Sequence, residues 1–167
     1  MTLDTMAILA AARRIEEFGI KFYQRFSECA REEKGAALLR GLARDEMMHL
    51  QHIEHEMRRI SPGMDPARVA PAASMMGIAP EAAFPFPPDN CITLEDEVAA
   101  METGINVEIA SVKMYKGAVR MVSDPGAKAL LERLSHIEEG HRDLLEKNLQ
   151  LLKEEGAWYG YTPILEG

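Results

Sequence analysis

The stretch Glu46-Met47-Met48-His49 recurs 92 residues later as Glu138-Glu139-Gly140-His141. Two longer segments repeat at the same distance: Glu16 to Tyr23 reads EEFGIKFY, and Glu108 to Tyr115 reads EIASVKMY. A single Glu-x-x-His pair carries little information, because both residue types are common on helices. Two pairs and two Glu-to-Tyr segments at one offset mark an internal duplication, each half of it a helical pair. Four carboxylates and two imidazoles spread over four helices are the donor set of a two-metal site inside a four-helix bundle. The expected fold is therefore all-α.

Helical geometry places these side chains indoors. At 100° per residue, Leu39, Leu42, Leu50, Ile53, Met57 and Ile60 fall within about 40° of Glu46, and His49 within about 60°. Glu138 and His141 sit likewise among Leu131, Leu134, Leu145, Leu149 and Leu152. Glu16 shares a face with Leu9, Ala12, Ile20 and Tyr23, and Glu108 with Met101, Gly104, Val112, Tyr115 and Val119. The adjacent acids Glu17, Glu102 and Glu139 project about 100° or more from these stripes and are expected in solvent. His52, His55 and His136 also lie off the ligand direction. A lone buried carboxylate costs several kcal/mol, and four together would raise one another's pKa. Two divalent cations cancel four carboxylates and leave the imidazoles as neutral ligands. Ala12 and Gly104, both small, are expected to leave room beside the metals. Tyr23 and Tyr115 are candidates for hydrogen bonds to the ligand carboxylates, with ordinary core packing as the alternative.

Length and composition frame this picture. The chain has 167 residues, enough for one domain with a real core. Aromatics are only 6% against 47% hydrophobic residues, which favours helices over sheet. A net charge of −8 argues against nucleic acid or an anionic membrane as partner. No apolar run is long enough to span a bilayer, and the Ala-rich start lacks a basic leader. Cys29 and Cys91 are expected to be unpaired thiols of a cytoplasmic protein.

Four helices are predicted, over about 4–31, 35–60, 93–122 and 125–155. Asp4 or Thr5 would cap the first and Thr93 the third, and Asp124-Pro125 would open the fourth. Each is roughly 40 Å long at 1.5 Å per residue. Residues 61–92 hold seven of the nine prolines and form a crossover between helices two and three. If the halves stack as pseudo-twofold mates, the chain must travel the length of the bundle, and thirty extended residues, reaching about 100 Å, suffice. The tail 156–167, with Trp158, Tyr159 and Tyr161, is expected to cap a bundle end or to meet a second copy. Phe18, Phe22 and Phe26, read as lying on secondary faces, suggest a homodimer.

These residues resemble the rubrerythrin branch of the ferritin-like superfamily, over roughly 4–60 and 93–155. The resemblance rests on Glu-x6-Tyr in helices one and three and on the two Glu-x-x-His pairs. It implies a ferritin-like bundle of two hairpins in one domain, 1–167. It further implies Glu16 and Glu108 as terminal or chelating ligands, Glu46 and Glu138 as bridges between two irons, and His49 and His141 completing the set. The implied activity is a non-haem diiron centre reacting with hydrogen peroxide or dioxygen. Two departures stand out. No rubredoxin-like four-cysteine domain is present, so turnover would need an external donor such as a rubredoxin-like protein. The extra third-helix Glu of rubrerythrins is also missing, since Ile105 and Ser111 lie a turn either side of Glu108. Alternatives to the oxidoreductase are a ferroxidase or iron-storage module, and a non-catalytic bundle that holds zinc or another redox-silent metal or serves as an interaction module. Mixed O/N donors suit iron or manganese, and zinc competes well for them.

Overall fold

A computed structural model describes residues 2–72, 75 and 94–164. Its long elements are four helices: α1 (Thr2–Cys29), α2 (Glu33–Ile60), α3 (Leu94–Val119) and α4 (Pro125–Glu155). α1 pairs with α2 and α3 with α4 as antiparallel hairpins, and the hairpins meet along α1·α3 and α2·α4. This is a four-helix bundle of ferritin-like type.

Local chemistry sets the helix ends. Asp124 precedes α4 in extended conformation and its Oδ1 accepts the Ala127 amide at 2.9 Å, while Pro125 takes the first helical position. Gly156 closes α4 in the left-handed conformation, φ 65°. α1 already begins at Thr2, so Asp4 and Thr5 lie within the helix rather than at its cap. The Thr93 cap falls outside the described residues, as do 73–74 and 76–92 of the crossover. What precedes them turns at Gly63, forms a short 3-10 turn at Pro66–Arg68, and lies against α1 through Ala72 N–H to Ala7 O at 2.9 Å.

The apolar core comes in two blocks. One gathers Met6 to Ile15 of α1, Ile53 and Met57 of α2, Met114 to Ala118 of α3 and Ala127 to Leu134 of α4. The other gathers Phe18 to Phe26, Leu38 to Ala43, Ala100 to Val107 and Leu144 to Leu152, with Trp158. On every helix the switch between blocks falls at the Glu or the Glu-x-x-His pair. The polar residues thus form a layer across the middle of the bundle, walled by hydrocarbon on both sides.

Several expectations change. Phe18, Phe22 and Phe26 are buried within the chain's own core and stack on one another, so they offer no face to a second copy. A wide apolar arc is what α1 needs to pack on two neighbours at once. Cys29 is disulfide-bonded rather than a free thiol; the sequence's other cysteine, Cys91, is outside the described residues. The tail lies along the groove between α2 and α4, with Trp158 on Gly35, Tyr161 on Gly41 and Ile164 on Gly140. It does more than cap an end. No described helix is long and apolar enough to cross a membrane.

Candidate metal centre

The duplicated sequence delivers its acids and imidazoles to one place. Glu16, Glu46, His49, Glu108, Glu138 and His141 are each at most 4% exposed. They form two overlapping clusters, Glu16/Glu46/His49/Glu138 and Glu46/Glu108/Glu138/His141, in each of which four donor atoms lie within 4.8 Å of one another. Glu46 and Glu138 belong to both. His49 Nδ1 is 3.5 Å from Glu46 Oε2 and 3.2 Å from Glu138 Oε1. His141 Nδ1 is 3.3 Å from Glu46 Oε1 and 2.9 Å from Glu138 Oε2. Each shared carboxylate therefore offers one oxygen to each imidazole, which is how a bridging carboxylate is placed. Glu16 Oε2 completes the first cluster, 3.3 Å from His49 Nδ1.

A metal ion fits this donor set. Glu16 Oε2, His49 Nδ1 and Glu138 Oε1 are buried without a hydrogen-bond partner, although they stand within 3.3 Å of each other as pairs about His49. Buried polar atoms of folded proteins rarely stay unpaired. Three such atoms converging in one pocket are the signature of a cation's coordination shell, and the second cluster repeats the donor types.

Two phenols tie the hairpins together. Tyr23 of α1 donates to Glu108 Oε1 of α3, and Tyr115 of α3 donates to Glu16 Oε1 of α1. The exchange is reciprocal, as the repeat predicts for side chains two turns from each acid. Both tyrosines are fully buried. Burial, then the charge of Glu108, raises Tyr23 well above the usual phenol range, so it remains a donor.

Proton affinities follow the crowding. Burial and the neighbouring Glu46 push Glu16 well up, and burial with Glu138 and Glu46 does the same to Glu108. For Glu46 burial acts upward too, but the protonated Glu16 and the two imidazoles outweigh it and hold the group well below the ordinary value. Glu138 is also lowered, burial and Glu46 being overcome by both imidazoles. Burial would depress His49 and His141, yet the surrounding carboxylates win and raise both.

Sequence reading missed one residue here. Asp45 is buried, and its Oδ2 lies 3.2 Å from His141 Nε2. Tyr161 Oη donates to Asp45 at 2.9 Å, and burial with this contact pushes the phenol up to about 12. The only available signal was an acid directly before a ligand Glu, which helical geometry alone assigns to solvent. The remaining expectations sort clearly. Glu102 and the three histidines His52, His55 and His136 are exposed, while Glu17 and Glu139 are partly exposed and ion-paired to Arg13 and Lys116. Gly104 leaves no open space: a methyl there would meet Leu145, Tyr23 and Phe22 at 3.3–3.7 Å. Ser111 bonds back to the Val107 carbonyl at 3.1 Å, and Ile105 packs in the core, so α3 brings no second carboxylate to the layer.

The rubrerythrin family profile matches residues 7–149, all four helices included. The chain belongs to the rubrerythrin family. Among solved structures, a hypothetical protein from Pyrococcus furiosus superposes with a TM-score of 0.66 at 19% identity, covering 89% of this chain and 90% of that one. At that identity the likeness concerns the fold. No curated protein matches the chain. Within the rubrerythrin family, the described residues hold a buried Glu/His cluster and no cysteine-bound iron domain, since the sequence has only two cysteines.

Proposed function

We propose that this rubrerythrin-family chain is a non-haem diiron oxidoreductase acting on hydrogen peroxide or dioxygen. Its metal ligands would be Glu16, Glu46, His49, Glu108, Glu138 and His141. The observation that carries the reading is the sharing of Glu46 and Glu138, each with one oxygen toward His49 and the other toward His141. Glu46 and Glu138 would hold two metal ions between them, one toward each imidazole, where the pair would supply redox chemistry. Four carboxylates and two neutral imidazoles balance two divalent ions, and the mixed O/N set suits iron or manganese.

When bound, a pair of ferrous ions supplies the two electrons that, with two protons, convert hydrogen peroxide to two waters. The chain does the rest. Tyr23 and Tyr115 hold Oε1 of Glu108 and Glu16, leaving the second oxygen of each for a metal. The apolar blocks on either side keep bulk water from the layer, which strengthens every interaction within it. Glu16 and Glu108, proton-holding without metal, release those protons as they become ligands. These 167 residues hold two cysteines rather than the four of a rubredoxin-like iron centre, so reducing equivalents for a second turnover would come from outside them, as from a rubredoxin-like protein.

Anaerobic reconstitution with ferrous iron, followed by stopped-flow mixing with peroxide and with dioxygen, tests this. Two irons per chain and rapid oxidation by at least one reagent are expected, and Glu138→Ala should abolish both. An iron-loaded chain inert to both oxidants would refute the oxidoreductase.

A further inference from the structure

We propose that the C-terminal segment is a working part of the metal centre. Tyr161, acting through Asp45, holds the His141 ring so that the half-site of Glu46, Glu108, Glu138 and His141 binds its ion first and more tightly than the half-site containing His49. This rests on the dinuclear reading above and adds an inequality between its halves.

The contacts form an unbroken chain. Tyr161 Oη lies 2.9 Å from both oxygens of Asp45, and Asp45 Oδ2 lies 3.2 Å from His141 Nε2. An imidazole that donates Nε2–H to a carboxylate keeps its lone pair on Nδ1. That atom faces Glu46 and Glu138 at 3.3 and 2.9 Å. A carboxylate behind a ligand histidine fixes tautomer and ring orientation and makes the ligand more basic. Tyr161 in turn fixes the carboxylate, since one hydroxyl shared between both oxygens leaves it little freedom to rotate.

The duplication does not supply the same support to the other half. Asp45 advanced by the 92-residue offset becomes Ile137, a buried aliphatic side chain that accepts no hydrogen bond. Two ligand sets that match residue for residue thus differ in what stands behind one imidazole.

Tyr161 is held in place by a built-in track. A methyl at Gly35 would fall 2.5 Å from the Trp158 ring, one at Gly41 would fall 2.6 Å from Tyr161 Cγ, and one at Gly140 would fall 2.9 Å from Ile164. Each glycine is therefore the seat of one tail side chain. Asn148, fully buried, clasps Gly160 from both sides: its Nδ2 donates to the Gly160 carbonyl at 3.1 Å, and its Oδ1 accepts the Gly160 amide at 2.8 Å. Gly160 has φ 102°, a conformation open to glycine and strained for other residues. The tail residues Trp158, Gly160, Tyr161 and Ile164 lie past residue 149, where the match to the family ends, while their seats on α2 and α4 lie within it.

The test is an anaerobic titration of the full chain with cobalt(II), following both stoichiometry and the d–d absorption of each equivalent. The wild type should bind two ions in two resolved steps, the tight one lost in His141→Ala and kept in His49→Ala. Tyr161→Phe keeps the ring on Gly41 and removes only the hydroxyl. It should weaken the tight step by about 10–100-fold, alter the spectrum of the first equivalent and leave the second step unchanged. Gly41→Ala displaces the ring while preserving every polar group, and should reproduce that pattern. Two wild-type steps of equal affinity, or a tight step unmoved by both Tyr161→Phe and Gly41→Ala, would overturn the proposal. A wild-type chain that binds no cobalt would instead overturn the dinuclear reading, a result distinct from either.

Discussion

A phenol that donates to one oxygen of a buried carboxylate decides which oxygen is left over. Tyr23 and Tyr115 do this for Glu108 and Glu16, and they do it across the hairpin interface. Removing either hydroxyl leaves a buried acceptor unpaired, a loss of about 1–3 kcal/mol. Tyr23→Phe and Tyr115→Phe should each lower metal-free stability by that amount in urea melts and weaken metal binding about tenfold or more. Changes within error in both measurements would reduce the tyrosines to packing residues. The acids and imidazoles themselves were legible because each interrupts an apolar stripe, and a polar residue in such a place demands a partner. Asp45 was not. It lies one residue, hence 100°, from Glu46, and the rule that rightly sends Glu102 to solvent sends Asp45 there too. The rule fails because α2 packs against both α1 and α4, which widens its buried arc beyond a single stripe.

Among the elements, close approach of α1 to α2 depends on Gly19. A methyl there would lie 3.1 Å from Glu46 Cγ and 3.3 Å from its Cδ, so the shared carboxylate would have to move. Gly19→Ala should leave the metal-free unfolding free energy within about 1 kcal/mol of wild type, because alanine's helix preference offsets the crowding. Metal affinity should nonetheless fall, as measured by competition with a chelator. Unchanged affinity would mean that Glu46 has slack. The helices were readable from periodicity and caps, and their pairing followed from the repeat. The course of the tail was not readable. Gly35, Gly41 and Gly140 look like weak points in helices until Trp158, Tyr161 and Ile164 are seen resting on them. Such a match between distant positions leaves no periodic trace.

For the molecule as a whole, the polar layer links stability to pH. Without metal, Glu16, Glu108, His49 and His141 hold protons more tightly folded than unfolded. Their contribution is complete below the unfolded values, about 4.3 for Glu and 6.5 for His, and is lost as pH climbs through the raised folded ones. Glu46 and Glu138 are depressed, so theirs is present above the unfolded value and lost only as pH falls through the folded one. Calorimetry of metal-free protein should therefore give a lower Tm at about pH 8.5 than at about pH 5.5. Metal takes the place of those protons, so the rise in Tm on loading should be larger at the higher pH. A metal-free Tm that climbs over this interval would contradict the sign. The two hydrocarbon blocks carry one more consequence. They stopper the cylinder above and below its charged waist, so no traveller can descend along the axis. Whatever reaches the carboxylates must slip in sideways between neighbouring rods.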